Sequence, residues 1–329
     1  MIPQKILIIL SFFLFAAPFG LLAQSNSSLA LSRYNWTIIN PAALEKAYLF
    51  NESERWQLQT AHRQSAIGLQ NAPNLSFLAV DFKPVTDRED EKESVGHKFG
   101  FALLRDKFGA FHQIQTLLNY AIYLPLGSER FFHIGISGSF LTQQLNVTRQ
   151  DFKIPEPKAP LLQNEDAFQA NVGIYYRHLQ RFYTGFSAPQ RVKKKIKRGE
   201  RTSSNLPRTI SYYWISGGFI DLKRGKAKNY YLEPTLVMRY TPDVTFQRSF
   251  VNQPFNNPFS SDLTFRAHFL PQRFAVGVGY STNGYTQTEF NFRFGDTPNL
   301  TCELAYQFST RQRTNFGSSF EVRVLFAIE

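Results

Sequence analysis

Cysteine and long apolar runs are scarce in this sequence, and each scarcity narrows the possible protein classes. Cys302 is the only cysteine among 329 residues. An exported chain with a single thiol forms no internal disulfide, so other interactions must stabilise it. Beyond the N-terminus no stretch of about 18 apolar residues occurs, which argues against a transmembrane helix in the mature chain.

The N-terminus carries the one long apolar run, and residues 1–23 have the pattern of a secretory signal peptide. Lys5 precedes the apolar run of residues 6–15, Pro18 breaks it, and the small residue Ala23 stands at the expected cleavage site. A membrane anchor is the alternative, but a run of about 10–12 residues is shorter than the roughly 20 that span a bilayer. We therefore expect cleavage after Ala23 and export.

Acidic residues are outnumbered, with 37 Lys and Arg against 25 Asp and Glu, for a formal net charge of +12. Nucleic-acid binding is the first interpretation of such an excess, but the expected export excludes it. Much of the excess lies in residues 191–201 (RVKKKIKRGER). Either a solvated loop or contact with anionic lipopolysaccharide or an acidic partner explains this run.

Recognisable catalytic and metal-binding patterns are also lacking. None of the six histidines has a metal-ligand spacing to another histidine or to Cys302. Ser137 and Ser139 lie near His133, but no G-x-S-x-G motif surrounds them. We therefore expect no cofactor, no metal and no enzymatic activity, with an outer-membrane hydrolase as the minor alternative.

What the sequence does contain is a repeated alternation from about residue 55 onward. In residues 273–281, Phe274, Val276, Val278 and Tyr280 alternate with arginine and small residues. Period two is typical of β-strands. A β-sandwich would also alternate, but here one face is nearly all aromatic and aliphatic while the other mixes Gly and Ala with Arg and Glu. Lipid outside and a crowded lumen inside explain both faces, so the pattern predicts an outer-membrane β-barrel.

About fourteen strands are predicted, an even number that suits a bacterial single-chain barrel with both termini in the periplasm. Their approximate spans are 56–68, 75–84, 98–107, 115–126, 130–145, 168–179, 181–189, 211–222, 230–241, 262–270, 272–282, 286–295, 300–309 and 318–328. The longest connections, at 146–167, 190–210 and 242–261, are expected at the cell surface. The acidic connection 85–97 is an exception, since it would be a long connection on the periplasmic side.

Three parts follow from this division of the chain: a signal peptide at 1–23, a periplasmic or plug-like segment at 24–54, and the barrel at 55–329. Several charged residues fall on the predicted inward faces of sequential strands. A structural ion-pair network across neighbouring strands is the main interpretation, and a selectivity filter is the alternative. These residues are Glu289, Arg293, Glu303, Glu321 and Arg323.

Several ordered blocks resemble the PorP/SprF family of Bacteroidota outer-membrane proteins, which belong to the type IX secretion and gliding systems. The first block is residues 34–42 (YNWTIINPA), and Tyr123–Gly127 (YLPLG) is another. Further blocks lie at 63–77, 181–189 and 233–240. The residues that match family motifs are Asn40, Pro41, Ala42, Ala72, Pro73, Gly185, Pro189, Pro234, Arg239 and Tyr240.

The resemblance implies an accessory barrel of the type IX secretion system, located in the outer membrane. Such a barrel would bind, help export or anchor a secreted surface protein, adhesin-like or gliding-related, and no catalytic residues carry over. Long loops are the expected binding surface, where basic side chains could steer an acidic cargo domain. These are Lys193, Lys194, Lys195, Lys197 and Arg198. A channel for small or hydrophobic solutes is the alternative function.

Overall fold

The fold is that of a computed structural model in which strands make up nearly all of the described chain. The structure describes residues 36–43, 56–65, 72–84, 95–108, 111–127, 129–145, 164–178, 181–194, 208–221, 230–241, 259–269, 273–282, 284–294, 299–309 and 318–328. The expected signal peptide, residues 1–23, lies outside these ranges. The three-part domain division therefore stays a prediction.

One short helix and seventeen strand segments make up the described chain. Helix α1 is Trp36–Ile39. The segments are β1 (Trp56–Ser65), β2 (Asn74–Phe82), β3 (Gly96–Phe108), β4 (Phe111–Pro125), β5 (Arg130–Leu145), β6 (Asn164–His178), β7 (Phe182–Ser187), β8 (Gln190–Lys194), β9 (Arg208–Ile210), β10 (Tyr212–Gly218), β11 (Ile220–Asp221), β12 (Tyr231–Tyr240), β13 (Phe259–Phe269), β14 (Phe274–Ser281), β15 (Tyr285–Phe294), β16 (Asn299–Ser309) and β17 (Ser319–Ile328). Among the described residues, no helix has the length and apolar character needed to cross a membrane.

The sheet closes on itself, because the first strand pairs with the last. β1 pairs with β2 on one side and with β17 on the other, both antiparallel. Trp56 lies opposite Ile328 at one end of this seam, and Ser65 lies opposite Ser319 at the other. Closure satisfies the backbone groups that an open sheet edge would leave unpaired in lipid. The predicted closed antiparallel barrel is confirmed.

The seventeen segments form fourteen barrel strands, in agreement with the predicted number. β7 and β8 both pair with β6 in one register, so they are one strand interrupted at Ala188 and Pro189. Pro189 has no N–H to donate to the ladder, which accounts for the interruption. β9, β10 and β11 are likewise one strand, because β9 pairs with β8, β10 pairs with β7, and both β10 and β11 pair with β12. The break between β10 and β11 lies opposite Glu233 and Pro234, and a proline again supplies no N–H.

One predicted connection is shorter than expected. The sequence predicts a loop throughout residues 190–210, but β8 pairs with β6 and β9 pairs with β8, so both ends of the range belong to the barrel wall. The alternation continues past Pro189, with Val192 opposite Phe168. A proline interrupts a strand without ending it when the neighbouring strands continue to offer partners. The connection proper is therefore 195–207.

The two faces of the wall differ as the alternation predicts. On β1, Trp56 and Leu58 are exposed on the outward face while Gln57 and Gln59 are buried on the inward face. Aromatic pairs mark both ends of the outward face: Trp56 with Phe82 at 4.3 Å between ring centroids, and Tyr212 with Tyr240 at 6.3 Å. Such aromatic girdles flank the apolar band of transmembrane barrels.

Two ends of the barrel are distinguished by their connections. The terminus end holds Trp56 and Ile328, and most of its connections are short, such as 126–129 and 270–273. The opposite, long-loop end holds 146–163, 195–207 and 241–258. The connection 83–95 is the one long stretch at the terminus end. That the long-loop end faces the cell exterior stays a prediction.

Candidate functional site

A segment N-terminal to the barrel strands is attached to the inner wall across β4–β7. Its residues 37–43 contact inward-facing positions, and Asn40 and Ala42 have no exposed surface. We call this segment the N-terminal clasp. The wall beneath it carries small side chains along one cross-strand row, with Ala121 opposite Gly135 and Gly135 opposite Gly173. This row leaves room for a second layer of backbone.

Asn40 is the main polar contact of the clasp. Its Nδ2 donates to the carbonyl oxygens of Ile174 at 3.0 Å and Phe186 at 3.3 Å. Its Oδ1 accepts from the N–H of Ala42 at 3.0 Å, and its own carbonyl accepts from the N–H of Ala43. The asparagine therefore closes a turn within the clasp and fastens that turn to β6 and β7.

Glycines in the wall are required for this fit. A Cβ on Gly173 would overlap the Asn40 side chain, and a Cβ on Gly135 would overlap the backbone of Pro41 and Ala42. Buried polar side chains supply additional bonds: Asn171 Nδ2 donates to the Ile39 carbonyl at 2.7 Å. The clasp is thus held by shape and by hydrogen bonds from buried side chains, which is typical of a resident part of the fold.

The structure brings four of the family-motif residues together and places the others elsewhere. Asn40, Pro41 and Ala42 form the clasp, and a Cβ on Gly185 would lie 2.8 Å from the Asn40 Nδ2. The remaining motif residues serve separate places in the wall. Ala72 and Pro73 precede β2, and the Pro73 carbonyl accepts from Ser65 N at 2.8 Å. Pro189 and Pro234 mark strand interruptions. Near the long-loop end of β12, Arg239 Nε donates to Thr241 Oγ1 at 3.2 Å and the Tyr240 ring stacks on the Tyr212 ring.

Next to the clasp, a buried hydrogen-bonded group links β7, β12 and β13 on the inward face. The Tyr183 hydroxyl contacts Glu233 Oε1 at 3.0 Å and Thr235 Oγ1 at 2.8 Å. The other carboxylate oxygen of Glu233 lies 2.8 Å from His268 Nε2, and the His268 ring stacks on Tyr231 with 4.2 Å between centroids. Glu233 therefore joins three barrel strands.

A predicted result follows for Tyr183→Phe, which keeps the ring and removes the hydroxyl. Glu233 would lose a donor while remaining buried, and we expect the barrel to lose about 1–3 kcal/mol of unfolding free energy. Urea unfolding in detergent micelles, followed by tryptophan fluorescence, measures this loss. Tyr280→Phe on the outward face is the matched control, and an equal effect of both substitutions would contradict the assignment.

Inward ion pairs on β13–β17 include three of the five residues of the predicted network, Glu289, Glu303 and Arg323, and one arginine outside it, Arg266. Arg266 on β13 pairs with Glu289 on β15, across Gly277 on the intervening strand. Arg323 on β17 pairs with Glu303 on β16 at 3.3 Å. Because Gly277 has no side chain, the arginine and the carboxylate can meet over it. The structural interpretation of these charges therefore has direct geometric support.

The same polar group extends across the seam that closes the barrel. Arg323 donates to Gln59 on β1, and Arg63 on β1 donates to Gln307 Oε1 at 2.7 Å and to Ser319 Oγ at 3.1 Å. All these arginines are buried. Side-chain bonds therefore reinforce the backbone ladder between the first and last strands.

The remaining candidate residues from the sequence lie outside the clasp and the buried polar groups, or outside the described residues. Lys193 and Lys194 belong to β8 at the long-loop end, opposite Ala167 and Asp166 of β6, whereas Lys195, Lys197 and Arg198 lie outside the described residues. The Ser139 hydroxyl accepts from Gln115 Nε2 at 2.9 Å rather than pairing with His133. Within the described part of the chain, no group of three His, Cys, Asp or Glu could hold a metal ion.

The clasp is the feature that the sequence did not locate. The sequence shows the triplet as a family motif, and Gly135 falls on the face of β5 that also carries Ser137 and Ser139. The missing step was the register that aligns Gly135 with Gly173 and sets Gly185 beside them. Glycines at inward positions of three consecutive strands would have been the signal that a second layer lies over the wall.

Solved structures of similar shape are bacterial outer-membrane proteins. The translocator domain of the autotransporter NalP from Neisseria meningitidis has a TM-score of 0.47 at 10% identity, covering 85% of this chain and 89% of that chain. The CymD monoaromatic hydrocarbon channel has a TM-score of 0.49 at 10% identity, with 90% and 92% covered. The Pseudomonas putida toluene transporter TodX has a TM-score of 0.44 at 8% identity, with 94% and 95% covered.

Sequence comparison is more specific. The comparison with curated proteins gives no match. A family described as type IX secretion system membrane protein PorP/SprF matches residues 24–326, which is nearly the whole chain after the expected signal peptide. This match agrees with the closed barrel and with a location in the outer membrane. The chain therefore belongs to the PorP/SprF family of type IX secretion system membrane proteins.

Proposed function

We propose that this barrel binds one protein secreted by the type IX system and helps to export it or anchors it at the cell surface. The observation that carries the proposal is family membership across residues 24–326. A dedicated binding role also fits three long connections, 146–163, 195–207 and 241–258, which leave the wall at one end, whereas only one connection of comparable length, 83–95, lies at the other. Adjacent long loops can form one shared surface for a partner.

The inner wall supports binding rather than free conduction. Inward groups such as Arg266, Arg323 and Glu321 have 1% or less of their surface exposed, and the clasp covers part of β4–β7. In a wide aqueous pore, inward charges would meet water. A barrel whose inward side chains are engaged with one another is better suited to hold a partner at its rim than to pass solutes.

The basic run gives the proposal an electrostatic component. Lys193 and Lys194 belong to β8 at the long-loop end, and Lys195, Lys197 and Arg198 follow them in the sequence. A cluster of like charge attracts an acidic domain over about one Debye length, roughly 8–10 Å at physiological salt. We propose that these residues steer the C-terminal domain of the secreted protein, with the long loops forming the contacts.

Replacing these five residues by glutamine should reduce recovery of the partner. We expect wild-type barrel, extracted from native membranes in mild detergent, to retain one large secreted protein at low salt and to lose most of it above about 0.3 M salt, where the Debye length is much shorter. The five-glutamine variant should lose the partner protein at both salt concentrations. Quantitative mass spectrometry of the purified complexes gives the ratio, and a variant with glutamine at Arg130 and Arg273, at the terminus end, is the control.

The channel hypothesis makes the opposite prediction. Recovery of the barrel alone, together with a steady open conductance in planar bilayers, would contradict the proposed role in binding a secreted protein. A partner that remains bound after removal of its C-terminal domain would retain the binding role and overturn only the assignment of that domain.

A further inference from the structure

The outward face is not uniformly apolar: a polar and basic patch lies at the long-loop end of β1–β5. Outward residues of the last ladder row are all polar, and those of the row below are mostly polar. The two rows run through Gln64, Asn74, Lys107, His112 and Gln144, and through His62, Ser76, Arg105, Ile114 and Thr142. We call these residues the outer polar patch.

A mainly apolar band lies below the patch. The next row towards the terminus end holds Thr60, Leu78, Leu103, Thr116 and Phe140, and Leu118 in the row after it is 63% exposed. On the opposite side of the barrel, outward aromatic residues such as Tyr240, Phe259 and Phe308 reach the long-loop end, with Thr286 and Thr288 of β15 among them. A row that is polar on every strand is therefore a local feature of β1–β5.

Positive charge is concentrated at the centre of the patch. Arg105 and Lys107 share the outward face of β3 two positions apart, which is about 7 Å along a strand. Lys107 lies directly opposite His112 on β4, and Arg105 lies opposite Ser76 on β2, whose hydroxyl contacts His62 at 3.0 Å. Among the described outward residues of β1–β5 there is no aspartate or glutamate.

A lipid-facing cation is costly away from the interface, by about 2–4 kcal/mol for Arg or Lys at the bilayer midplane of a barrel and about 0–1 near its edge. The row below Arg105 already holds Leu103, so the two cations mark the outer edge of the apolar band. At that edge, long basic side chains can extend towards headgroups. An anionic headgroup is the partner that can form ion pairs with two cations and accept hydrogen bonds from the neutral donors in this position.

We propose that the outer polar patch binds the phosphate groups of lipopolysaccharide, through Arg105 and Lys107 with His112 as a further donor. The assignment to this lipid rests on the predicted orientation, with the long-loop end outward, and not on cargo binding. Lipid A carries phosphates at the headgroup level and would present them to both cations. The lipid would then be a fixed neighbour of β2–β5.

The test uses the purified full-length chain in mild detergent, titrated with bisphosphorylated lipid A and, separately, with dephosphorylated lipid A. Native mass spectrometry counts the bound lipid. We expect Arg105→Gln/Lys107→Gln to weaken binding of the phosphorylated form by about thirtyfold, from a factor of roughly five for each basic residue. The dephosphorylated form should bind weakly to both proteins. Arg130→Gln, an outward basic change at the terminus end, is the matched control.

Each outcome decides the proposal. Equal binding of phosphorylated lipid A to wild type and double variant overturns it, as does equal binding of the two lipids to wild type. The conservative Arg105→Lys should retain binding, and the single Lys107→Gln keeps the test valid if the double variant fails to form a heat-modifiable barrel. Partner recovery from native membranes should be unchanged in these variants, so failure of the cargo role and failure of the lipid site remain distinguishable.

Discussion

Asn40→Ala is expected to release the N-terminal clasp from the inner wall. The substitution removes two bonds to the carbonyls of Ile174 and Phe186 and the bond that caps the Ala42 N–H. Three bonds at about 0.5–1.5 kcal/mol each amount to roughly 2–4 kcal/mol of docking free energy. The amides of Ala42 and Ala43 should then exchange with deuterium at least about thirtyfold faster, since 1.4 kcal/mol is a factor of ten.

Two further variants separate docking from general loss of stability. Gly173→Val should give the same accelerated exchange from the wall side, because its side chain would occupy the space of Asn40. Valine favours strands, so in the Asn40→Ala background the same change should cost much less, which is a non-additive cycle. Thr116→Ala on the outward face is the control. Unchanged exchange in Asn40→Ala would refute the clasp.

Arg266→Met is expected to destabilise the barrel by about 3–5 kcal/mol, because it leaves the buried Glu289 carboxylate without its ion-pair partner. Glu289 is 2% exposed, so water cannot replace the arginine, although Gln287 Nε2 still donates to the carboxylate at 2.7 Å. Equilibrium unfolding in urea, with lipid or detergent held constant, measures the change.

The double variant Arg266→Met/Glu289→Gln provides the decisive comparison. Removing both charges should recover most of the lost stability, because replacing a buried pair by neutral groups is often close to neutral. Arg130→Gln, at an exposed position, controls for loss of a positive charge alone. If Arg266→Met and the double variant were equally unstable, the pairing across Gly277 would not be the source of the effect.

The barrel could be predicted from the sequence because its strands are read one at a time. The alternation of small residues with outward side chains can be recognised without knowing which strands are neighbours, as in Phe274, Val276, Val278 and Tyr280. The even number of strands then follows from counting such segments. Interruptions within strands are harder to predict from the sequence. Pro189 resembles the end of a strand when read locally, but β6 and β9 offer partners on both sides and the wall continues to Lys194.

The interior could be predicted only in part. Charges on adjacent strands, such as Glu303 and Arg323, are expected to meet once alternation places them inward. The clasp depends on the register of three neighbouring strands and on a segment that precedes the barrel. That segment is far from those strands in the sequence, and no local sequence pattern specifies how they align. The triplet at Asn40 therefore identified a family but not a position in the fold.

Sequence separation gives the seam and the clasp different places in the order of assembly. Clasp bonds from Asn40 join residues 134 and 146 positions apart, whereas seam bonds such as Arg63 to Ser319 join residues 256 positions apart. Contacts between nearer positions require a shorter chain and close a smaller loop. β4–β7 can therefore receive the clasp before the last strand arrives, and the ring then closes around a segment that is already in place.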